Sequence, residues 1–403
     1  MSQVTILGLG PGSFGGLTQQ ALDSLREAEL LIGAKRLLGS LPAGLSGLRK
    51  EAIAPQEISN LITEAECSPV AVVMSGDTGF YSGAKKLIAL LEGHRVTVLP
   101  GLSTVQVLAA KLQKPWQDVN LVSGHGVSCN VVGEILKGKD TFFLTGGDIT
   151  PGTIARDLSA AGLGDLRLHV AARLSYPDES LVSDTAQALS DREFPPLSAV
   201  WVEAMAPRKA FLGGGIADEA FIRADVPMTK QEVRASIAGK LRLQPGDTVY
   251  DVGAGTGSVA VELSLLDPML RVYAVETNAD ACRLILQNRA KFGAYNLNLI
   301  HGAAPAALEA LPAPDCVFIG GTKGNLAEIL QVLLEKNPKV RVCVSAIALE
   351  TMAQAAVLLQ QAPFTDFEVC QISVSRGRAV GSYHLMTAQN PIFLLSARGG
   401  ADE

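Results

Sequence analysis

Residues 251–262, DVGAGTGSVAVE, constrain the fold more than any other stretch of the chain. An apolar approach runs into glycines at 253, 255 and 257, and a second apolar run follows. Glycine adopts positive φ without a Cβ penalty, so this pattern turns a strand sharply into a helix and lays bare backbone against a ligand. Such turns belong to doubly wound α/β sheets, whose ligands bind beyond the carboxyl ends of the strands. Seven strand candidates follow in order, at 247–252, 271–276, 297–301, 315–320, 340–345, 367–375 and 391–396. A Gly-containing loop rather than a helix joins the last two, so these should pair antiparallel.

The spacing selects the ligand. A dinucleotide fingerprint, G-x-G-x-x-G, would need glycine where Ser258 stands. Asp251 leads the loop, and Glu276 ends the next strand, 21 residues beyond Gly255, placed to accept hydrogen bonds from ribose hydroxyls. An acid there serves NAD or S-adenosylmethionine. The D-x-G-x-G-x-G spacing favours S-adenosylmethionine, which has no pyrophosphate to seat on a helix N-terminus. Its amino-acid moiety can meet Asp251 and the backbone of Gly253, Ala254, Gly255, Thr256 and Gly257. An NAD-dependent oxidoreductase is the alternative that Ser258 disfavours. A scaffold that binds S-adenosylmethionine without catalysis is a third reading, disfavoured by the intact Asp251, glycines and Glu276.

The loop begins only after about 250 residues, and 403 residues exceed one ordinary core, so two domains are expected. Residues 1–205 alternate buried strands at 4–9, 70–75, 95–100 and 141–146 with helical stretches such as 17–29. From about 165 the texture changes, suggesting a second, smaller lobe. Residues 206–230 read as linker and lead-in, and 231–403 as the second domain. A net charge of -6 argues against general nucleic-acid binding, so an anionic substrate would need locally placed Arg or Lys. The six cysteines are scattered without a C-x-x-C pair, and several lie in strand-like apolar runs where buried free thiols are expected, which favours a reducing compartment. The five histidines form no metal-ligand spacing, so no metal is expected. The N-terminus reads as a strand rather than a signal peptide, and no apolar stretch would span a bilayer. A soluble, cytoplasmic, homo-oligomeric protein is the expectation.

Residues 226–262, with HGAAPAAL (301–308) and DCVFIGGTKG (315–324), resemble the decarboxylating, C-terminal half of the precorrin-6Y methyltransferases of cobalamin synthesis, a class I methyltransferase fold. The resemblance implies that Thr229, Gly253 to Gly257, Glu276 and Ala304 line the cofactor. It departs at Ala303, where the family often has Asp. Read from the residues alone, Thr229 is an N-cap before KQEVRASIAGKL, with Glu232 at the capping-box position. The first half is similar to the two-lobed tetrapyrrole methylases, a fold unrelated to class I. The matching stretches are LGLGPGSFGG (7–16), MSGDTGFYSGAKKL (74–87), VLPGLSTVQVLAAKL (98–112) and FLTGGDITP (143–151). This similarity implies cofactor contacts at Asp77, Phe80, Ser103, Thr104 and Thr145, with Thr78 standing where the family commonly has Pro. Singly, Asp77 reads as a turn former, Ser103 as an N-cap and Phe80 as core.

Together the resemblances imply one S-adenosylmethionine per domain. They imply methylation of precorrin-6Y, a polycarboxylate tetrapyrrole, at meso carbons 5 and 15, with loss of the ring C acetate carboxyl. The cobalt-loaded counterpart of that substrate stays open. Methyl transfer from a sulfonium needs a positioned nucleophile more than an acid or base, which suits a chain without a Ser-His-Asp or Cys-His constellation. Arg376 and Arg378, in the loop between the last two strands, are candidates for the substrate carboxylates. Tyr383 and His384 in the same loop are candidate proton or hydrogen-bond donors.

Overall fold

The computed structural model describes residues 2–65, 67–124, 129–205, 213–361 and 363–400. The chain forms two compact units. The first comprises Met1–Cys129, Lys139–Ser159 and Gly164–Met205; the second comprises Asn130–Gly138, Ala160–Leu163 and Ala206–Glu403. Residues 206–212 of the expected linker lie outside the described residues.

The first unit opens with a wholly parallel sheet of β1 (Gln3–Gly8), β2 (Leu30–Gly33), β3 (Leu48–Glu51), β4 (Val70–Met74) and β5 (Arg95–Leu99). Their order is β3-β2-β4-β1-β5. QVTILG and VAVVM are continuous apolar runs because both faces of these central strands are covered. Val4, Ile6, Val70 and Val72 feed a core on one side. Their neighbours in sequence, Leu7, Ala71 and Val73, feed the other.

A second sheet follows, of β6 (Asn120–Ser123), β7 (Thr141–Leu144), β8 (Arg167–Ala172), β9 (Ser180–Thr185) and β10 (Ser198–Val202), ordered β6-β7-β10-β8-β9. β6 and β7 pair in parallel, whereas β10 runs antiparallel to β7 and β8, and β9 to β8. The second lobe therefore starts at Asn120, not near residue 165. The short, parallel-paired β6 and β7 have the same texture as the first sheet, and only the later strands are antiparallel.

In the second unit the strands are β11 (Thr248–Val252), β12 (Arg271–Glu276), β13 (Leu297–His301), β14 (Cys316–Ile319), β15 (Arg341–Ala346), β16 (Phe364–Ile372), β17 (Ser375–Val380), β18 (Tyr383–Ala388) and β19 (Ile392–Gly399). Seven of them form one sheet in the order β13-β12-β11-β14-β15-β19-β16. β19 runs antiparallel to both β15 and β16, as expected of the final pair. The chain moves outward from β11 through β12 to β13, then returns to β14 on the other side of β11. That reversal opens a crevice at the carboxyl ends of β11 and β14. Cys316 and Cys343, free thiols buried in β14 and β15, are pushed up to about 12 by burial.

The expected loop between the last two sheet strands is instead a two-stranded hairpin of β17 and β18. It turns through Gly381–Ser382, with Gly381 at φ +63°. A Gly-Ser pair between β-forming runs is a two-residue hairpin signal, so this element was legible in the sequence.

Candidate functional site

The glycine loop is fastened to both flanking strands. Gly253 and Ala254 N–H donate to Val275 O at 2.9 and 3.2 Å, and Gly320 and Gly321 N–H donate to Val252 O at 2.9 and 3.3 Å. Gly253 has φ +76°, and a Cβ there would lie 2.8 Å from the Gly321 nitrogen. No other residue fits so close a backbone crossing. Beyond it lies a cavity of about 480 Å³, lined among others by Thr229, Gly253–Gly255, Glu276, Ala304 and Lys323.

Glu276 lines this cavity with a carboxylate already oriented by backbone. Its Oε2 accepts from Gly255 N–H at 2.9 Å, and Oε1 accepts from Thr277 and Asn278 N–H at 2.7 and 2.8 Å. Oε2, with one donor, keeps a lone pair for a further hydroxyl. Asp251 does not line the cavity. It is fully buried behind the loop, where Oδ2 accepts from Ala260 N–H at 2.9 Å and braces the following helix. Its Oδ1 has no partner among the described residues. Burial, reinforced by the Glu276 charge, raises its pKa to about 7. Thr256 and Gly257 also stay out of the cavity. Thr256 is fully buried, and Gly257 caps helix Ser258–Leu266.

Thr229 lines the cavity and is not the helix cap. Helix Gln231–Leu241 has Lys230 at its cap position without a side-chain bond, and Asp218 Oδ1 accepts from Gln231 N–H at 3.0 Å instead. The lead-in is held by Arg234, 1% exposed. Its guanidinium donates to Glu262 at 2.6 Å, to Asp218 at 2.9 Å, and to the carbonyls of Thr229 and Ile216. A cation this deeply buried is tolerated only when so fully paired.

Arg376 already has carboxylate partners within the chain. Its Nη2 donates to both oxygens of Glu232 at 2.9 Å and approaches Asp218 Oδ2 at 3.4 Å, so it ties β17 to the lead-in helix. Strand alternation in the hairpin puts Arg376, Arg378, Tyr383 and Leu385 on one face and His384 on the other. Tyr383 and His384 thus point apart, and none of these hairpin residues lines the cavity. Lys323, which the sequence reading passed over, does. It adopts φ +49° in the loop after β14, and its Nζ donates to Thr277 Oγ1 at 2.8 Å.

The first unit holds a smaller cavity, about 310 Å³, at the carboxyl ends of its parallel strands. Asp77, Phe80, Thr104 and Thr145 line it, as does Arg36. Asp77 shapes the loop, its two oxygens accepting from Gly79 and Gly101 N–H at 2.8 and 3.0 Å. Thr78 donates to Leu99 O at 3.3 Å, and Thr145 to Ser198 O at 2.5 Å. Phe80 packs against the core around Phe142, with ring centroids 6.2 Å apart. Ser103 does not line the cavity; it forms a capping box with Gln106 and so fixes the helix that presents Thr104.

Comparison with known proteins divides the chain in two consecutive parts, the first of which includes Asn130–Gly138 and Ala160–Leu163 of the second unit. Residues 3–190 match the family described as Tetrapyrrole (Corrin/Porphyrin) Methylases, and residues 219–398 the one described as Precorrin methyltransferase domain. Over 394 residues the chain is 29% identical to a precorrin-6Y C(5,15)-methyltransferase [decarboxylating] from Sinorhizobium, spanning 96% of this chain and 94% of that protein. It is 42% identical over 186 residues to a probable cobalt-precorrin-6B C(15)-methyltransferase (decarboxylating) from Pyrobaculum calidifontis, spanning 45% of this chain and 95% of that protein. A crystal structure of a precorrin-6Y C5,15-methyltransferase from Geobacter metallireducens matches with TM-score 0.43 and 36% identity, covering 45% of this chain and 95% of that one. Among the described residues no helix is long and apolar enough to cross a membrane.

Proposed function

The chain belongs to the precorrin methyltransferases, and from that premise we propose that it methylates precorrin-6Y at meso carbons 5 and 15 and releases the ring C acetate carboxyl as carbon dioxide. The observation that carries this reading is the juxtaposition, in one unit, of the fastened glycine loop with Glu276 beside it on the wall of one cavity. Carbon-15 methylation and decarboxylation are assigned to the second unit. Relatives named for that reaction alone match only 45% of this chain, a length close to residues 219–398. Carbon-5 methylation falls to the first unit, so each unit holds its own S-adenosylmethionine. A homo-oligomer in the cytoplasm is part of the same proposal.

The residues present suit that cofactor. The second cavity, about 480 Å³, falls within the range of small-molecule sites. It offers a carboxylate for hydroxyls and a wall of small residues, Ala303 and Ala304, for a flat ring. When bound, the cofactor supplies a methyl group on a positively charged sulfur. Glu276 would hold the ribose edge, the backbone at Gly253–Gly255 the amino-acid end, and Thr229 the side closed by the lead-in. Lys323 takes the carboxylate-binding role first expected of Arg376, with Arg378 further out on the hairpin. The chain's contribution is position, which supplies roughly 7–11 kcal/mol when reacting atoms are held in line.

The test is to incubate the full chain with precorrin-6Y and methyl-labelled S-adenosylmethionine. Two methyls gained and one carbon dioxide lost are expected by mass. No methyl uptake by metal-free or cobalt-loaded substrate would refute the reading. The cobalt-loaded tetrapyrrole is a second reading, favoured by the higher identity to the cobalt-precorrin enzyme. For the site, Glu276→Ala should weaken cofactor binding to the second unit at least about tenfold, the loss of a charge-assisted hydrogen bond, and leave the first unit unchanged. Titration calorimetry resolves the two.

A further inference from the structure

Resting on that reading of the first unit, we propose that Arg36 recognises a carboxylate of the tetrapyrrole during carbon-5 methylation, and that Tyr176 positions it. Arg36 is the only basic residue among the described residues that line the first cavity. Its guanidinium donates to two neutral hydroxyls, Tyr176 Oη and Ser75 Oγ, the latter at 3.2 Å, and to no carboxylate among the described residues. The one acid in the lining, Asp77, has both oxygens engaged by backbone N–H groups. An exposed guanidinium held by neutral partners at a cavity mouth keeps its charge available for an incoming anion.

The surroundings hold Tyr176 with unusual care. Its ring lies 5.0 Å from the Arg173 guanidinium and 5.8 Å from that of Arg36. Arg173 is itself paired with Asp178 at 2.5 Å, so of the two cations Arg36 is the one left without a counter-charge. Arg173 and Ser175 adopt φ +53° and +67°, left-handed backbone that non-glycine residues keep only where the surroundings enforce it. Glu179 enforces it here, accepting from Ser175 N–H at 2.6 Å while paired with Lys111 at 2.5 Å. Gly12, in the opening glycine loop, gives the ring its seat: a Cβ at that position would lie 2.1 Å from it. Three segments distant in sequence thus converge to aim one uncompensated guanidinium.

The experiment uses the full chain, with precorrin-6Y and its cobalt-loaded form as probes. Initial rates are measured with ¹³C-methyl S-adenosylmethionine, and NMR separates label at carbon 5 from label at carbon 15. Arg36→Met is expected to raise KM for the tetrapyrrole at carbon 5 by about tenfold to a hundredfold, as expected for loss of a charge-assisted bond, without weakening cofactor binding. Arg36→Lys should recover part of that loss. Tyr176→Phe should raise the same KM a few-fold with kcat nearly unchanged. Label at carbon 15 should be unaffected throughout. An unchanged carbon-5 KM in Arg36→Met overturns the assignment, as does a parallel loss of cofactor affinity. If the wild-type chain transfers nothing to carbon 5, the reading of the first unit falls, and this assignment falls with it.

Discussion

At the scale of single residues, Asp251 and Glu276 show how two carboxylates on neighbouring strands are given different tasks. Glu276 faces the cavity with its carboxylate oriented by backbone donors, whereas Asp251 is sealed behind the loop with one oxygen unpartnered among the described residues. Burial raises the Asp251 pKa to about 7, well above the ordinary aspartate value near 4. Between those values the folded state keeps a proton that the unfolded chain has released. Stability should therefore fall as pH rises from about 4 to about 7, by at most about 1.4 kcal/mol per pH unit. Asp251→Asn should flatten that slope, as followed by urea unfolding across the window; an unchanged slope would overturn the account. The sequence revealed both acids, because strand ends and glycine spacing are local patterns. It gave no sign of the ion pairs of Arg376, since its partners Glu232 and Asp218 lie 144 and 158 residues away and no local pattern reports them. Arg36 and Lys323 escaped notice for the same reason: a lone cation acquires meaning only from the cavity it borders.

Elements were more legible than residues, and the reasons are particular. The run VYDV before Gly253 and the run VYAV before Glu276 read as buried parallel strands, so the strands of the second unit's sheet were legible in chain order, whereas their spatial order was not. The hairpin of β17 and β18 was missed because its strands are exposed, with no apolar alternation to mark them. The Gly381–Ser382 turn was the available signal. The loop after β11 makes the sharpest demand on backbone, and Gly253→Ala measures it. A methyl group at φ +76°, 2.8 Å from the Gly321 nitrogen, should cost about 1–3 kcal/mol and part the loop from β14. A loss of cofactor affinity confined to the second unit, with thermal unfolding of the first unit unmoved, is the expected result. Normal affinity in this variant would show that the crossing of the two loops is dispensable.

For the whole molecule, two sheets in the first unit and a third in the second each carry their own core, and all of the second unit but Asn130–Gly138 and Ala160–Leu163 follows Met205 in the chain. Scission between Met205 and Gly213 leaves both sheets of the first unit on one fragment and the whole sheet of the second on the other, so two fragments that fold separately are expected. The later one should retain carbon-15 transfer and carbon dioxide release. Calorimetry of the intact chain should show two transitions that match those of the fragments. A single transition, with both fragments unfolded, would refute independent folding. The thiols of Cys316 and Cys343 sit at the centre of the second unit's sheet, in neighbouring strands, and resist ionisation until water reaches them. An alkylating reagent can mark them only when β14 and β15 come apart. Peptide mapping of that label would make the two cysteines a built-in clock for the opening of the second unit, running independently of anything that happens in the first.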